Sequence, residues 1–157
     1  MNLSTTVNSV RLWRSSGIIF VVFFVIAYVM YGLQPKVGAS AEMLVSFYDG
    51  QSTRILMATL MFSSAVLFLL WFAAAIRSTL HDAGQGGWGA TASSAALGGM
   101  LWALIAVGAA LAYSIAGSGN DTLTSGLNDL VWVCIVVSSF PRAMLIMAGT
   151  FGLWRAK

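Results

Sequence analysis

Charged residues make up only 8% of this 157-residue chain, against about 25% in ordinary soluble domains. A domain of this size exposes too much surface for so few charges to cover it. The apolar fraction of 59% and a mean hydropathy of +0.85 exclude a soluble globular domain and a disordered chain alike. The single cysteine, Cys134, excludes an internal disulfide and a thiolate cluster. The single histidine, His81, excludes bis-histidine haem ligation and the usual protein ligand set of catalytic zinc. The five acidic residues, Glu42, Asp49, Asp82, Asp121 and Asp129, are not spaced to build a carboxylate site. No catalytic set remains, so the sequence points away from an enzyme and implies no cofactor and no metal site. The net charge of +3 reads as an excess in cytoplasmic loops, and not as a nucleic-acid surface.

What the chain has in quantity is long apolar runs. A bilayer core about 30 Å thick needs about 20 mostly apolar helical residues. Four stretches answer to it: 17–33, 54–76, 92–116 and 127–154, the last interrupted by Pro141-Arg142. The runs are continuous and not alternating, which excludes a β-barrel. The expected fold is all-α: a single transmembrane domain over residues 1–157, an integral four-helix bundle whose fourth span is broken at Pro141. Arg11 and Arg14 before the first run, with Ala39-Ser40-Ala41 after it, imitate a cleaved signal. The run is longer than the 7–15 residues of a signal h-region, so a retained span is expected.

The positive-inside rule sets the orientation. With a cytoplasmic N-terminus, Arg11, Arg14, Arg77, Arg155 and Lys157 lie inside, and only Lys36 and Arg54 outside. Trp13, Trp71, Trp88 and Trp154 then fall at the inner boundary, and Tyr31, Tyr48, Tyr113 and Trp132 at the outer one. Both termini are expected to be cytoplasmic, in a multi-pass protein of the cell's inner (plasma) membrane. The outer loop 34–53 carries FYDG at 47–50, an interfacial aromatic pair followed by an Asp-Gly turn. The inner loop 77–91 contains GQGGWG, which lacks the lysine and strand context of a phosphate loop and reads as a connector anchored by Trp88. The segment GSGNDTLTSG reads as a second outer turn, with a sequon at Asn120-Asp121-Thr122.

Within the spans, Ala95, Gly99, Ala103, Ala106 and Ala110 place small side chains on one helical face. Small residues let membrane helices approach closely. This stripe serves either packing against spans two and four or a seam with a partner subunit. Arg142 is the most informative residue, because a charge deep in an apolar run costs about 2.5–3.5 kcal/mol on insertion scales. Asp129, thirteen residues earlier, lies about 19 Å away along the axis and does not pair with it directly. Pro141 frees the carbonyl of Val137, and Ser138 and Ser139 add polar atoms, so Arg142 is open to three readings. It is satisfied by freed carbonyls, serines and water, or it meets an acidic or polar partner on another subunit or on a span this chain lacks, or it serves an anionic ligand or transport pathway. Ser63 and Ser64 in span two lie at similar depth and are candidates to face it, although serines in such helices usually bond to their own carbonyls. His81-Asp82 suggests a proton relay, but a histidine there more often complements a helix C-terminus together with Arg77, and Cys134 lies among apolar residues where a thiol is inert.

FYDG before span two, FLLWFAAAIRS at its end, the small-residue third span and SFPRAML in a broken fourth resemble uncharacterised bacterial, mainly actinobacterial, multi-span membrane proteins over about residues 47–155. Such relatives look longer, with further spans. The resemblance implies a multi-span membrane fold and brings no activity. The expected function is a non-catalytic accessory or scaffold subunit of a larger membrane assembly, its partners being the lipid bilayer and either other membrane subunits or copies of itself. The alternative is a small transporter, channel or sensor that uses Arg142 near the midplane for an anionic or lipid ligand.

Overall fold

A computed structural model describes residues 3–116 and 121–156, with the side chains of residues 3–14 and 114–124 outside that description. The expectations placed on Arg11, Trp13, Arg14, Lys157 and the sequon therefore lie outside the described side chains. Six helices follow in order: α1 (Leu3–Tyr31), α2 (Ala41–Tyr48), α3 (Ser52–Asp82), α4 (Gly86–Ala116), α5 (Asp121–Val137) and α6 (Ser139–Arg155). No strand occurs among the described residues. Three helical segments, Ser52–Asp82, Gly86–Tyr113 and Ser125–Arg155, are long and apolar enough to cross a membrane, which marks a membrane protein by length and composition. A shorter apolar helix, Ser15–Tyr31, accompanies them.

The helices outrun the apolar stretches that define them. α3 has 31 residues, about 46 Å of helix, well beyond a hydrocarbon core about 30 Å thick. The segment read as an inner loop is thus mostly helix, and only residues 83–85 join α3 to α4. Gly84 makes so short a turn possible. At φ +73° it occupies the left-handed region that a side chain would strain. The Gln85 N–H then donates to the Leu80 carbonyl (2.7 Å) and the Gly84 N–H to that of His81 (3.0 Å), a Schellman closure of α3. The remaining glycines of GQGGWG start α4. Gly89 is the one pressed hardest, since a Cβ there would stand 3.0 Å from the Arg77 carbonyl oxygen.

The connection after α1 is likewise more structured than a loop. Gly32, at φ +78°, ends α1, and its N–H returns to the Tyr28 carbonyl (3.1 Å). Ser40 then caps α2, its Oγ accepting from the Met43 N–H (3.4 Å). FYDG divides as expected: Phe47 and Tyr48 finish α2, and Asp49-Gly50 turn the chain into α3. α5 begins at Asp121, inside the segment read as the second turn. The break between α5 and α6 is slight. Ser138 keeps a near-helical backbone, and the bonds from Ser138 N–H to the Cys134 carbonyl (2.9 Å) and from Arg142 N–H to the Ser138 carbonyl (3.2 Å) persist. Pro141 sits in the first turn of α6, where a missing N–H is tolerated.

The long helices pack in series. α1 lies on α3, α3 on α4, and α4 on both α5 and α6, while α3 only grazes α6. The row is bridged at one end, where α2 touches α5. We call this the capped end, and the end carrying the α3–α4 turn the hairpin end. Two cores result. Near the capped end, Tyr31, Leu44, Tyr48, Ile55, Ala58, Ala109, Ala110, Tyr113 and Val131 pack together. Toward the hairpin end, Val66, Ala73, Ala96 and Met100 form a second core with Leu69, Ala103 and Leu145 beside it. Close helix approach comes from small residues, since lipid gives apolar side chains little reason to leave it. The ring of Phe72 lies where a Gly17 Cβ would be, at 2.8 Å, and the Leu80 methyls crowd Gly152 at 2.9 Å.

Candidate functional site

Arg142 lies in the first turn of α6, beside α4. Its aliphatic stem passes Gly99, where an added Cβ would sit 3.9 Å from the Arg142 Cγ, and Pro141 lies 3.6 Å from the corresponding point on Gly98. The side chain then folds back along its own helix. Nε donates to the Ser138 carbonyl (3.1 Å) and Nη2 to the Ile135 carbonyl (3.0 Å). These acceptors bracket the Val137 carbonyl that Pro141 frees. A guanidinium has five N–H donors, so two are used and three remain. The residue is exposed.

The serines serve the same stretch of backbone. Ser138 Oγ donates to the Ile135 carbonyl (2.8 Å), and Ser139 Oγ to those of Val136 (2.6 Å) and Ile135 (3.5 Å). The structure thus brings Arg142, Ser138 and Ser139 together around one patch of carbonyls. Ser63 and Ser64 stand apart from it. Each donates to a carbonyl one turn back on α3, Thr59 and Leu60 respectively (2.9 Å each). Ser64 also lines an apolar groove with Phe23, Phe68 and Trp71, on the α1 side of α3. Asp129, the acid on the same span as Arg142, is engaged near the capped end, where its Oδ1 accepts from the Gly38 N–H (3.4 Å).

The small-residue stripe lies on the helix at the centre of the row. Ala110 is buried, and Ala95, Gly99, Ala103 and Ala106 are half-buried. Ala103 packs beside the second core and Ala106 beside the first, while Gly99 receives Pro141 and Arg142.

A second constellation, at the capped end, was not singled out from sequence. Asn128 is buried, and its side-chain amide is fully bonded. Its Oδ1 accepts from Gln34 Nε2 (3.2 Å) and from the Tyr48 hydroxyl (3.3 Å). Its Nδ2 donates to the carbonyls of Pro35 (3.5 Å) and Lys36 (3.3 Å). Trp132, one turn on, donates from Nε1 to the same Pro35 carbonyl (2.8 Å). Pro35 and Lys36 follow a helix end; the Lys36 carbonyl accepts from the Ala39 N–H (3.1 Å) in the turn, and α5 supplies further donors to both carbonyls. The Tyr48 and Tyr31 hydroxyls lie 3.3 Å apart, and the Tyr48 ring is packed against Tyr113 with centroids 3.9 Å apart. Burial pushes the Tyr48 phenol above its ordinary value, which keeps it a donor. Arg54 completes the clasp by donating to the Tyr31 carbonyl (3.3 Å) beneath the Phe47 ring. The spacing of Asn128, Val131, Cys134 and Ser138, all buried, was the available signal: it puts the amide on the inward face of α5.

Chemically, the clasp is a fastener of neutral amide, hydroxyl and carbonyl groups flanked by the Arg54 cation, and the Arg142 patch is a cation with spare donors. Cys134 is buried. His81 and Asp82 form a solvent-exposed pair at 3.8 Å, an arrangement worth little energetically. Among the described residues, no group of three or more His, Cys, Asp or Glu side chains is placed to hold a metal ion. Comparison of the chain with protein-family models, characterised proteins and solved structures finds no match in any of the three.

Proposed function

We propose that the chain is a non-catalytic accessory or scaffold subunit of a larger membrane assembly in the cell's inner (plasma) membrane. In this reading α1, α3, α4 and the α5–α6 pair are four crossings. The α3–α4 hairpin and both termini are cytoplasmic, as the distribution of Arg11, Arg14, Arg77, Arg155 and Lys157 favours. The observation that carries the proposal is the serial packing of the helices. A row leaves the flanks of α1 and α6 open to lipid or to neighbouring helices. Small residues and an exposed mid-span arginine on such flanks suit lateral association.

The test is the native size of the protein. Membranes carrying the tagged chain, solubilised in a mild detergent and run on a blue-native gel, are expected to show it in a species well above monomer mass. A lone monomer under those conditions refutes the proposal. The exposed Arg142 guanidinium favours a second reading, a small transporter, channel or sensor for an anionic ligand. That reading requires an anion to raise the thermal stability of the wild type and to leave Arg142→Gln unchanged.

A further inference from the structure

Arg142 has a defined free edge. Nε and Nη2 share one edge of the planar guanidinium, and each spends a donor on the helix's own carbonyls. The opposite end, formed by Nη1 and the second N–H of Nη2, is the edge that takes a carboxylate in a two-bond fork. The two internal bonds hold the fork in one orientation, so a partner meets a preorganised group.

Depth decides the kind of partner. Arg142 stands 17 residues from Ser125 and 13 from Arg155 in the long helical segment, about 26 and 20 Å of helix. Folding back between the levels of Ser138 and Ile135 puts the guanidinium about 3–8 Å from the middle of that segment. A hydrocarbon boundary lies about 15 Å from the middle, beyond the held fork. A lipid phosphate is therefore out of range, and a carboxylate carried on another transmembrane helix is within it.

The surroundings fit a helix as well. Ile135, Ser139, Arg142, Ile146 and Gly149 follow one another at spacings of four, three, four and three residues, one stripe along α5 and α6. Ile135, Ser139, Arg142 and Ile146 are exposed, and a Cβ on Gly149 would meet nothing within 4 Å. Ser139 and Gly149 are small enough for a second backbone to come close on either side of the charge.

We propose that this stripe docks a transmembrane helix of another subunit through a mid-span Asp or Glu paired with the free edge of Arg142. The proposal rests on the accessory-subunit reading and gives it a partner chemistry.

The test uses the full-length chain in phosphatidylcholine vesicles with a synthetic Leu/Ala transmembrane peptide carrying one central Asp, and its Asn counterpart, with association read by energy transfer at pH 7. The wild type is expected to bind the Asp peptide about tenfold more tightly than the Asn peptide. Arg142→Gln is expected to erase that preference, and Gly149→Leu to weaken both peptides while keeping it. Equal binding of the two peptides by the wild type, or an undiminished preference in Arg142→Gln, overturns the proposal. So does stabilisation of the wild type by added phosphatidylglycerol that requires Arg142 while the peptides show no preference, which identifies lipid as the ligand. Circular dichroism and thermal melts of each variant verify that it is folded. The blue-native gel reads the accessory role separately, so a monomeric native protein and a failed peptide preference are distinct results.

Discussion

Replacing Asn128 by alanine should unfasten the capped end without dissolving the helices. The amide makes four hydrogen bonds, three at 3.2–3.3 Å and one at 3.5 Å. A net value of about 1 kcal/mol each, reduced for the long ones, gives about 3 kcal/mol. Some of this is recovered. Gln34 is half-buried and can rehydrate, Tyr48 keeps its Tyr31 neighbour and Pro35 its Trp132 bond. A loss of about 2 kcal/mol remains, which multiplies the population of the open capped end about thirtyfold. Cys134 reports on that opening. It is buried six residues beyond Asn128, about 9 Å down the same helix, on the face that α5 turns inward. A small membrane-permeant thiol reagent should therefore label Cys134 about thirty times faster in Asn128→Ala than in wild type, as long as reclosing outpaces labelling. Asp129→Ala serves as the comparison. It removes a single long bond to Gly38 and should change the rate less than about threefold. Wild-type labelling kinetics in Asn128→Ala would refute the assignment of Asn128 as the fastener.

Three further outcomes are expected. Gly152→Ala, whose Cβ would meet the Leu80 methyls at 2.9 Å and Trp88 Cβ at 3.0 Å, should lower stability by about 1–3 kcal/mol; Gly108→Ala, with open space around it, should be neutral or stabilising in the same thermal melt. In a Cys134→Ser background, Val37→Cys should react with an impermeant reagent from outside the cell and Gln85→Cys only from the cytoplasm; reversed labelling would invert the proposed orientation. The raised Tyr48 phenol favours the protonated form in the folded state, so its contribution to stability is complete below the ordinary tyrosine value of about 10 and is lost as pH rises above it. Cys134 burial, followed by mass spectrometry after brief alkaline exposure, should accordingly weaken above pH 10 in wild type and less steeply in Tyr48→Phe.

The three long apolar helices were legible because hydropathy over about twenty residues is a property of sequence alone. Their ends were not. Helix continues through Arg77 to Asp82 because a polar backbone near an interface is still best satisfied internally, and the turn then depends on Gly84 alone. α2 was invisible as a helix: eight residues in a polar connection have little helical tendency of their own, and it is the burial of Leu44 and Tyr48 against α5 and α4 that holds them. Arg142 stood out from composition, but its carbonyl partners depended on a side-chain course that residue spacing does not reveal. Asn128 carries no charge to mark it in the sequence, although its spacing to Val131 and Cys134 places it on the inward face of α5.

The clasp also has a place in time. Gln34 finds its partner 94 residues later in the chain, whereas α3 and α4 are joined by three residues and can pair as soon as both exist. At about 5–20 residues synthesised per second, the Pro35 and Lys36 carbonyls wait about 5–19 s for Asn128 to emerge. During that interval the capped end is unfastened, with the Pro35 carbonyl lacking its donors from α5 and the Tyr48 hydroxyl its acceptor on Asn128. Anything that binds the nascent protein at this surface competes with the arrival of α5.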